Sequence, residues 1–268
     1  MDHMPATGVS GLDLYVRKGR KGPWVWLGVG RPTESPTNRK ELVSDMPPGL
    51  REYLLCLPLY NGVKEVRLGV PATAMIAKAP LRRAAARKPV VFYGTSITQG
   101  GCASRPGMAY PAILGRWLEV PTINLGFSGN GQLEPEVATL LAEIDAAVFV
   151  LDALPNNQAV GILERAGPFV RTLRAARPRT PIVLVENVTY QNAHLVAGNR
   201  RRAAESNAAM RKVFKELLAS GVKGLRYVAG MDLLGEDGEA TVDGVHPTDV
   251  VFLGIAETLR PELRRALR

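Results

Sequence analysis

A serine hydroxyl attacks a carbonyl only when a base takes its proton, so the pairing of one serine with one of very few histidines is the most informative feature of this chain. Ser96 lies in Tyr93-Gly94-Thr95-Ser96-Ile97-Thr98-Gln99-Gly100, directly after the apolar run Val90-Val91-Phe92-Tyr93. A strand that ends in a glycine-rich turn presents a nucleophile, and the turn's backbone N–H groups can meet the oxyanion that forms after attack. Serine in such a turn is more often a helix cap or plain turn residue. The stretch is also not the Gly-x-Ser-x-Gly elbow, because Thr98 stands where the second glycine would be. The base decides the matter. The histidines are His3, His194 and His246, and His246 lies in Asp243-Gly244-Val245-His246-Pro247-Thr248. A turn there brings Asp243 back to orient the imidazole while the other ring nitrogen faces Ser96. His194 has no carboxylate nearby in sequence, and His3 is expected at a mobile terminus.

Two further stretches supply donors for the oxyanion. Asn124-Leu125-Gly126-Phe127-Ser128-Gly129-Asn130-Gly131 follows a short apolar piece and offers flexible backbone N–H groups, with Gly129 leaving room for substrate. Its glycine spacing is a poor dinucleotide fingerprint, because nothing around it would cradle a phosphate. Asp152-Ala153-Leu154-Pro155-Asn156-Asn157 follows another apolar run and should open on the same edge as Ser96, where the Asn156 amide can donate. Arg105, in Ser104-Arg105-Pro106-Gly107, is expected either to donate to substrate oxygens or to form a surface salt bridge.

The elements that must position these groups divide near residue 88. Up to about Arg87 the chain is strand-like, with runs at Leu12–Val16, Trp24–Leu27, Glu52–Leu57 and Val63–Leu68, and Asn61-Gly62 predicts a hairpin. Arg31–Asn38 and Pro47-Pro48-Gly49 are loops, and Leu81–Lys88 is a linker or short helix. From Pro89 onward short apolar runs at Val90–Tyr93, Ala147–Leu151, Ile182–Val185 and Leu225–Val228 alternate with helical patterns. Those helices are expected over Tyr110–Leu118, Glu134–Ile144, Gln158–Ala176, Arg200–Ser220 and from Thr248 towards the end. The alternation predicts an α/β, doubly wound parallel sheet with its site beyond the carboxyl ends of the strands.

Composition excludes several alternatives. Of the 268 residues 46% are hydrophobic and 22% charged, which argues against disorder. No run reaches the roughly 18 apolar residues of a membrane span, and no signal-peptide pattern opens the chain, so a cytoplasmic protein without membrane association is expected. Two cysteines are too few for a disulfide framework or a four-thiolate zinc site, and neither metal nor cofactor is expected. The formal charge of +9 comes from arginines spread as helix faces display them, without interleaved aromatics, so no nucleic-acid partner is expected.

In order, the four blocks around Ser96, Asn124–Gly131, Asp152–Asn157 and Asp243–His246 resemble the SGNH hydrolase superfamily, also called GDSL esterases, over residues 89–268. The resemblance implies a flavodoxin-like, three-layer α/β/α domain. It assigns the nucleophile to Ser96, the oxyanion donors to the backbone of Ser96 and Gly129 and the side chain of Asn156, and the orienting acid and base to Asp243 and His246. Thr95 stands where the family carries the acid of Gly-Asp-Ser, and Leu154-Pro155-Asn156-Asn157 replaces Gly-x-Asn-Asp. Tyr93–Gly100, Ser104–Gly107 and Asn124–Gly131 also resemble a subgroup of bacterial esterases with a β-rich N-terminal domain, whose end is similar to Glu52–Val63. In those relatives that domain begins further upstream, so residues 1–88 are expected to be its later strands plus a linker, with an exposed edge that oligomerisation would cover. The implied activity is hydrolysis of short acyl esters, acetyl on a carbohydrate foremost, through an acyl-serine. A transacylase and a non-catalytic carbohydrate-binding protein on the same fold are the alternatives.

Overall fold

A computed structural model of the chain describes residues 1–19, 22–80, 86–231, 233–235 and 238–268. Its larger part is a parallel sheet whose strands are β4 (Val90–Gly94), β5 (Thr122–Gly126), β6 (Val148–Asp152), β7 (Ile182–Val185) and β8 (Leu225–Val228). They lie side by side in the order β5-β4-β6-β7-β8, which is the flavodoxin-like doubly wound arrangement. The inner strands β4, β6 and β7 read as apolar runs because both their faces are covered. Val90 and Phe92 of β4 join one core with Tyr110, Ile113, Phe252 and Leu259, whereas Val91 and Tyr93 join the other with Phe149, Phe169 and Met210. Helices α3 (Tyr110–Leu118) and α7 (Asp249–Ala266) form the first layer, and α4 (Pro135–Glu143), α5 (Ala159–Ala176) and α6 (Ala197–Ala219) form the other.

The order also selects the site. Connections leave the sheet in opposite directions from β4 and β6, which are neighbours, so a crevice opens beyond their carboxyl ends. The turns after β4 and β6 carry Ser96 and Asn156.

The first part of the chain is smaller. A short helix α1 (Ala6–Ser10) precedes a three-stranded antiparallel sheet, ordered β2 (Trp24–Gly30), β1 (Leu12–Arg17), β3 (Tyr53–Cys56). Its charged pin is Asp13, fully buried, which accepts from Trp26 Nε1 at 2.7 Å, Arg105 Nη1 at 2.6 Å and Gly107 N at 2.9 Å.

Two expectations are corrected here, and one strand is added. Residues 63–68 form no strand: they join neither sheet, and Val63, Val66 and Leu68 are exposed. Asn61-Gly62 makes no hairpin, because Leu59 N and Asn61 N donate to Gly8 O and Val9 O and dock this stretch on α1. Edge strand β5, unremarkable in sequence, exists through its parallel ladder to β4, from Val90 opposite Thr122 to Gly94 opposite Gly126. Of the stretch 81–88 taken as linker or short helix, residues 81–85 lie outside the described residues.

Candidate active site

Strand β4 ends at Gly94, and helix α2 (Ser96–Gln99) starts two residues later. The turn is so tight that a Cβ on Gly94 would lie 2.1 Å from Thr98 Oγ1 and 2.3 Å from Asp152 O, which only glycine avoids. Thr95 is the N-cap, its Oγ1 accepting from Ile97 N at 3.4 Å. Threonine and aspartate both cap helices, so Thr95 keeps this local duty where the resembled motif has an acid. Ser96 is the first helical residue, and its N–H has no partner within the helix. Behind it, Thr98 Oγ1 and Tyr110 OH donate to Asp152 Oδ2 at 2.9 and 2.8 Å, tying α2 to the end of β6. Burial raises the Asp152 carboxyl to about 6, against the lowering effect of those two bonds.

Across the crevice the chain folds back through Val242 N to His246 O at 2.9 Å. Thr241 Oγ1 accepts from Gly244 N at 3.0 Å and itself donates to Gln191 Oε1, so the turn at residues 191–194 buttresses the Asp243–His246 loop. His246 Nε2 lies 2.8 Å from Ser96 Oγ and its Nδ1 lies 2.6 Å from Asp243 Oδ2. An ionised carboxylate only accepts, so Nδ1 carries the hydrogen and Nε2 is free to take the serine proton. Burial alone would raise the Asp243 carboxyl, but bonds from the His246 backbone, the His246 ring and the Val245 backbone outweigh it and hold the group at about 2.

The donor loops flank Ser96. Gly129 has φ of +73°, a left-handed conformation that strains any side-chain-bearing residue although the space around it is open. Gln99 Oε1 accepts from Ser128 N at 2.9 Å and holds this loop against α2. Asn156 closes the short turn after β6, and its Nδ2 donates to Asn130 O at 2.6 Å, which leaves one amide hydrogen. The neighbouring Asn157 is buried, with both Nδ2 hydrogens committed to Ala153 O at 2.7 Å and Gly131 O at 3.2 Å. Arg202 donates to Pro155 O and anchors the turn from α6.

The residues singled out in the sequence therefore meet at one sheet edge, except two. Arg105 is turned towards the β sheet: its Nη1 meets Asp13 at 2.6 Å and Tyr15 OH at 2.6 Å, and its guanidinium lies over the Trp26 ring. A buried carboxylate is the stronger attractor for a guanidinium than open solvent at a crevice, and the role expected for Arg105 at the substrate is corrected accordingly. His194 stays on the exposed 191–194 turn, its Nδ1 near Gln191 O. Conversely His3, expected to be mobile, places Nε2 at 2.9 Å from Asp243 Oδ2. No local signal marks a contact between residues 240 positions apart.

His3, Cys102 and His246 each place one ligand-type atom within 4.8 Å of the others. Both His246 nitrogens already serve Ser96 and Asp243, and burial followed by the Asp243 charge pushes the Cys102 thiol up to about 11. An ion there would have to displace a bond of the Ser96–His246–Asp243 chain. Among the described residues no helix is long and apolar enough to cross a membrane.

Comparison with known proteins places the chain in a family. Residues 87–264 match the model of the GDSL-like Lipase/Acylhydrolase family, and residues 1–76 match that of the N-terminus of SGNH-hydrolase-type esterases. A crystal structure of a GDSL-like lipase from Bacteroides ovatus is 38% identical with a TM-score of 0.92, over 100% of this chain and 77% of that one. A salicylyl-acyltransferase from a tetracycline biosynthetic pathway is 22% identical with a TM-score of 0.72, covering 96% of this chain and 73% of its own. A family two carbohydrate esterase from Clostridium thermocellum is 16% identical with a TM-score of 0.68, covering 98% of this chain and 87% of its own. The last two share the fold. No curated protein sequence matches. With a strand-end serine joined through histidine to aspartate, and with a matching family model over most of its length, the chain belongs to the GDSL-like lipase/acylhydrolase family of SGNH hydrolases.

Proposed function

We propose that this family member is a serine carboxylic-ester hydrolase that removes short acyl groups, acetyl on a carbohydrate foremost. The observation that carries the proposal is the unbroken line from Ser96 Oγ through both His246 nitrogens to Asp243 Oδ2, at 2.8 and 2.6 Å. In this mechanism Ser96 Oγ attacks the acyl carbonyl while its proton passes to His246 Nε2, and Asp243, already ionised, steadies the imidazolium. The oxyanion is taken by the N–H groups of Ser96 and Gly129 and by the free Asn156 amide hydrogen. His246 then gives the proton to the departing alkoxide, the C–O bond to the alcohol breaks, and the acyl group stays on Ser96. Water, deprotonated by His246, attacks the acyl-serine; the C–O bond to Ser96 Oγ breaks, His246 Nε2 returns the proton to Oγ, and the carboxylic acid leaves.

The small and polar loop residues Ser128, Gly129, Asn130, Gln132 and Asn156 support a hydrated leaving group over a long acyl chain. Two measurements test the proposal. A serine-directed phosphonate should leave one adduct, on the peptide bearing Ser96, and Ser96→Ala should lose about three or more orders of magnitude in rate. Catalytic efficiency on esters from acetate to decanoate should peak at two to four carbons, since a groove would add up to about 0.8 kcal/mol per buried methylene. An adduct elsewhere overturns the mechanism; a peak at octanoate overturns only the acyl preference. Adding a competing alcohol and analysing products separates hydrolysis from acyl transfer.

A further inference from the structure

The line from Ser96 through His246 ends on an oxygen that has one more partner, and this partner comes from the other end of the chain. His3 Nε2 lies 2.9 Å from Asp243 Oδ2, the oxygen that His246 Nδ1 meets at 2.6 Å. The two imidazoles stand 5.9 Å apart, tilted by 56°. Asp243 Oδ1 meanwhile accepts from Val245 N at 3.0 Å and His246 N at 2.7 Å. A carboxylate has about four lone-pair directions, and here each oxygen takes two donors. Because the carboxylate is ionised, His3 Nε2 carries the hydrogen.

The segment that follows His3 is tied down at two successive residues. Thr7 Oγ1 donates to Ser104 O at 2.6 Å, and Leu59 N donates to Gly8 O at 3.1 Å. Leu59 O in turn accepts from Gln99 Nε2 at 3.1 Å, so the segment is locked to α2, the helix that starts at Ser96. Met4 is buried beside it.

We propose that His3 is a positioning residue of the active site, by which the N-terminal part of the protein completes the catalytic constellation: it holds Asp243 Oδ2 where His246 Nδ1 needs it. The proposal rests on the catalytic roles given above to Ser96, His246 and Asp243. Without His3 the carboxylate is fixed by its Oδ1 bonds and by one imidazole alone. The Asp243 side chain is 30% exposed even with His3 against it, so water would take the vacated side and compete for Oδ2. The neighbouring Cys102 is a poor substitute, because the S–H of its neutral thiol is only a weak donor. His3 contacts Asp243 and acts through His246, so its loss falls on turnover rather than on substrate affinity.

The test compares His3→Ala, His3→Leu and His3→Gln with the wild type on a chromogenic acetate ester, with Tm measured for each. Glutamine carries an amide N–H at about the reach of Nε2; leucine fills space without a donor. His3→Ala and His3→Leu should lower kcat roughly 3- to 30-fold, a charged hydrogen bond discounted for partial exposure, with KM within about twofold. His3→Gln should recover most of the loss, and the rate of phosphonate labelling at Ser96 should follow kcat across the series. Wild-type kcat in His3→Leu, or a His3→Gln variant as slow as His3→Leu at unchanged Tm, refutes the positioning role. In either case a labelled, active wild type leaves the esterase proposal standing. A wild type that is neither active nor labelled overturns the esterase proposal, and the role of His3 with it.

Discussion

Asn156 and Asn157 are adjacent, chemically identical and opposite in predicted effect, which makes them the sharpest check on the site. Asn156 Nδ2 gives one hydrogen to Asn130 O and keeps one. If that hydrogen meets the oxyanion, Asn156→Ala removes a preorganised donor worth about 2.7–4 kcal/mol in the transition state, or roughly 100- to 1,000-fold in kcat. Its ground-state cost is one neutral hydrogen bond at a partly exposed site, about 1 kcal/mol, or about 2–4 °C in Tm. Asn156→Asp keeps the size but offers no donor and sets a charge against the oxyanion, so it should be no faster than alanine. Asn157 gives both hydrogens to the backbone, at Ala153 O and Gly131 O, and is 1% exposed. Asn157→Ala leaves two carbonyls without that donor, at about 1–3 kcal/mol each, so Tm should fall on the order of 10 °C. In the folded fraction kcat should change less than about tenfold, because no oxyanion donor is lost. Steady-state kinetics below the melting range, with Tm from calorimetry, separates the two patterns. Were Asn157→Ala to lose about a hundredfold in kcat at unchanged Tm while Asn156→Ala kept its rate, the assignment of the donor would be refuted.

Three other outcomes are expected. Asp243 is held at about 2, so it stays ionised well into acid, and an acid limb of kcat/KM between about pH 4 and 8 that persists in both Asp152→Asn and His3→Gln reports the catalytic base; a profile flat down to about pH 4.5 would remove His246 from that role. Asp13→Ala strands the Arg105 guanidinium and should cost about 3–5 kcal/mol in urea unfolding, and a cost below about 1 kcal/mol would show the pin to be dispensable. Asp152 is raised to about 6 by burial, so the folded state holds a proton that the unfolded chain, near 3.8, has already released. Its contribution to stability is therefore present below about pH 4 and is lost as pH rises through about 6. Asp152→Asn should gain on the wild type in urea melts across that window, and a constant difference between the two would contradict the burial argument.

The catalytic layer was legible because its determinants are local. Strands β4, β6 and β7 are short apolar runs covered on both faces, and α3 to α7 carry helical periodicity, so pattern and burial say the same thing. Asp243 and His246 are three residues apart and Ser96 follows a strand end, so residue type and spacing marked a candidate nucleophile and an oriented base, while their pairing across 150 residues was implied by the family resemblance and made by the fold. The remainder depends on which surfaces the folded chain brings together. Residues 63–68 have the composition of a strand but join neither sheet, and β5 has a weak pattern but lies beside β4. Arg105 could satisfy its charge in several ways until the β sheet presented a fully buried Asp13. The contact of His3 with Asp243 leaves no trace in sequence, because a hydrogen bond across 240 residues is specified only by the packing of α1 and the loop after Ser96.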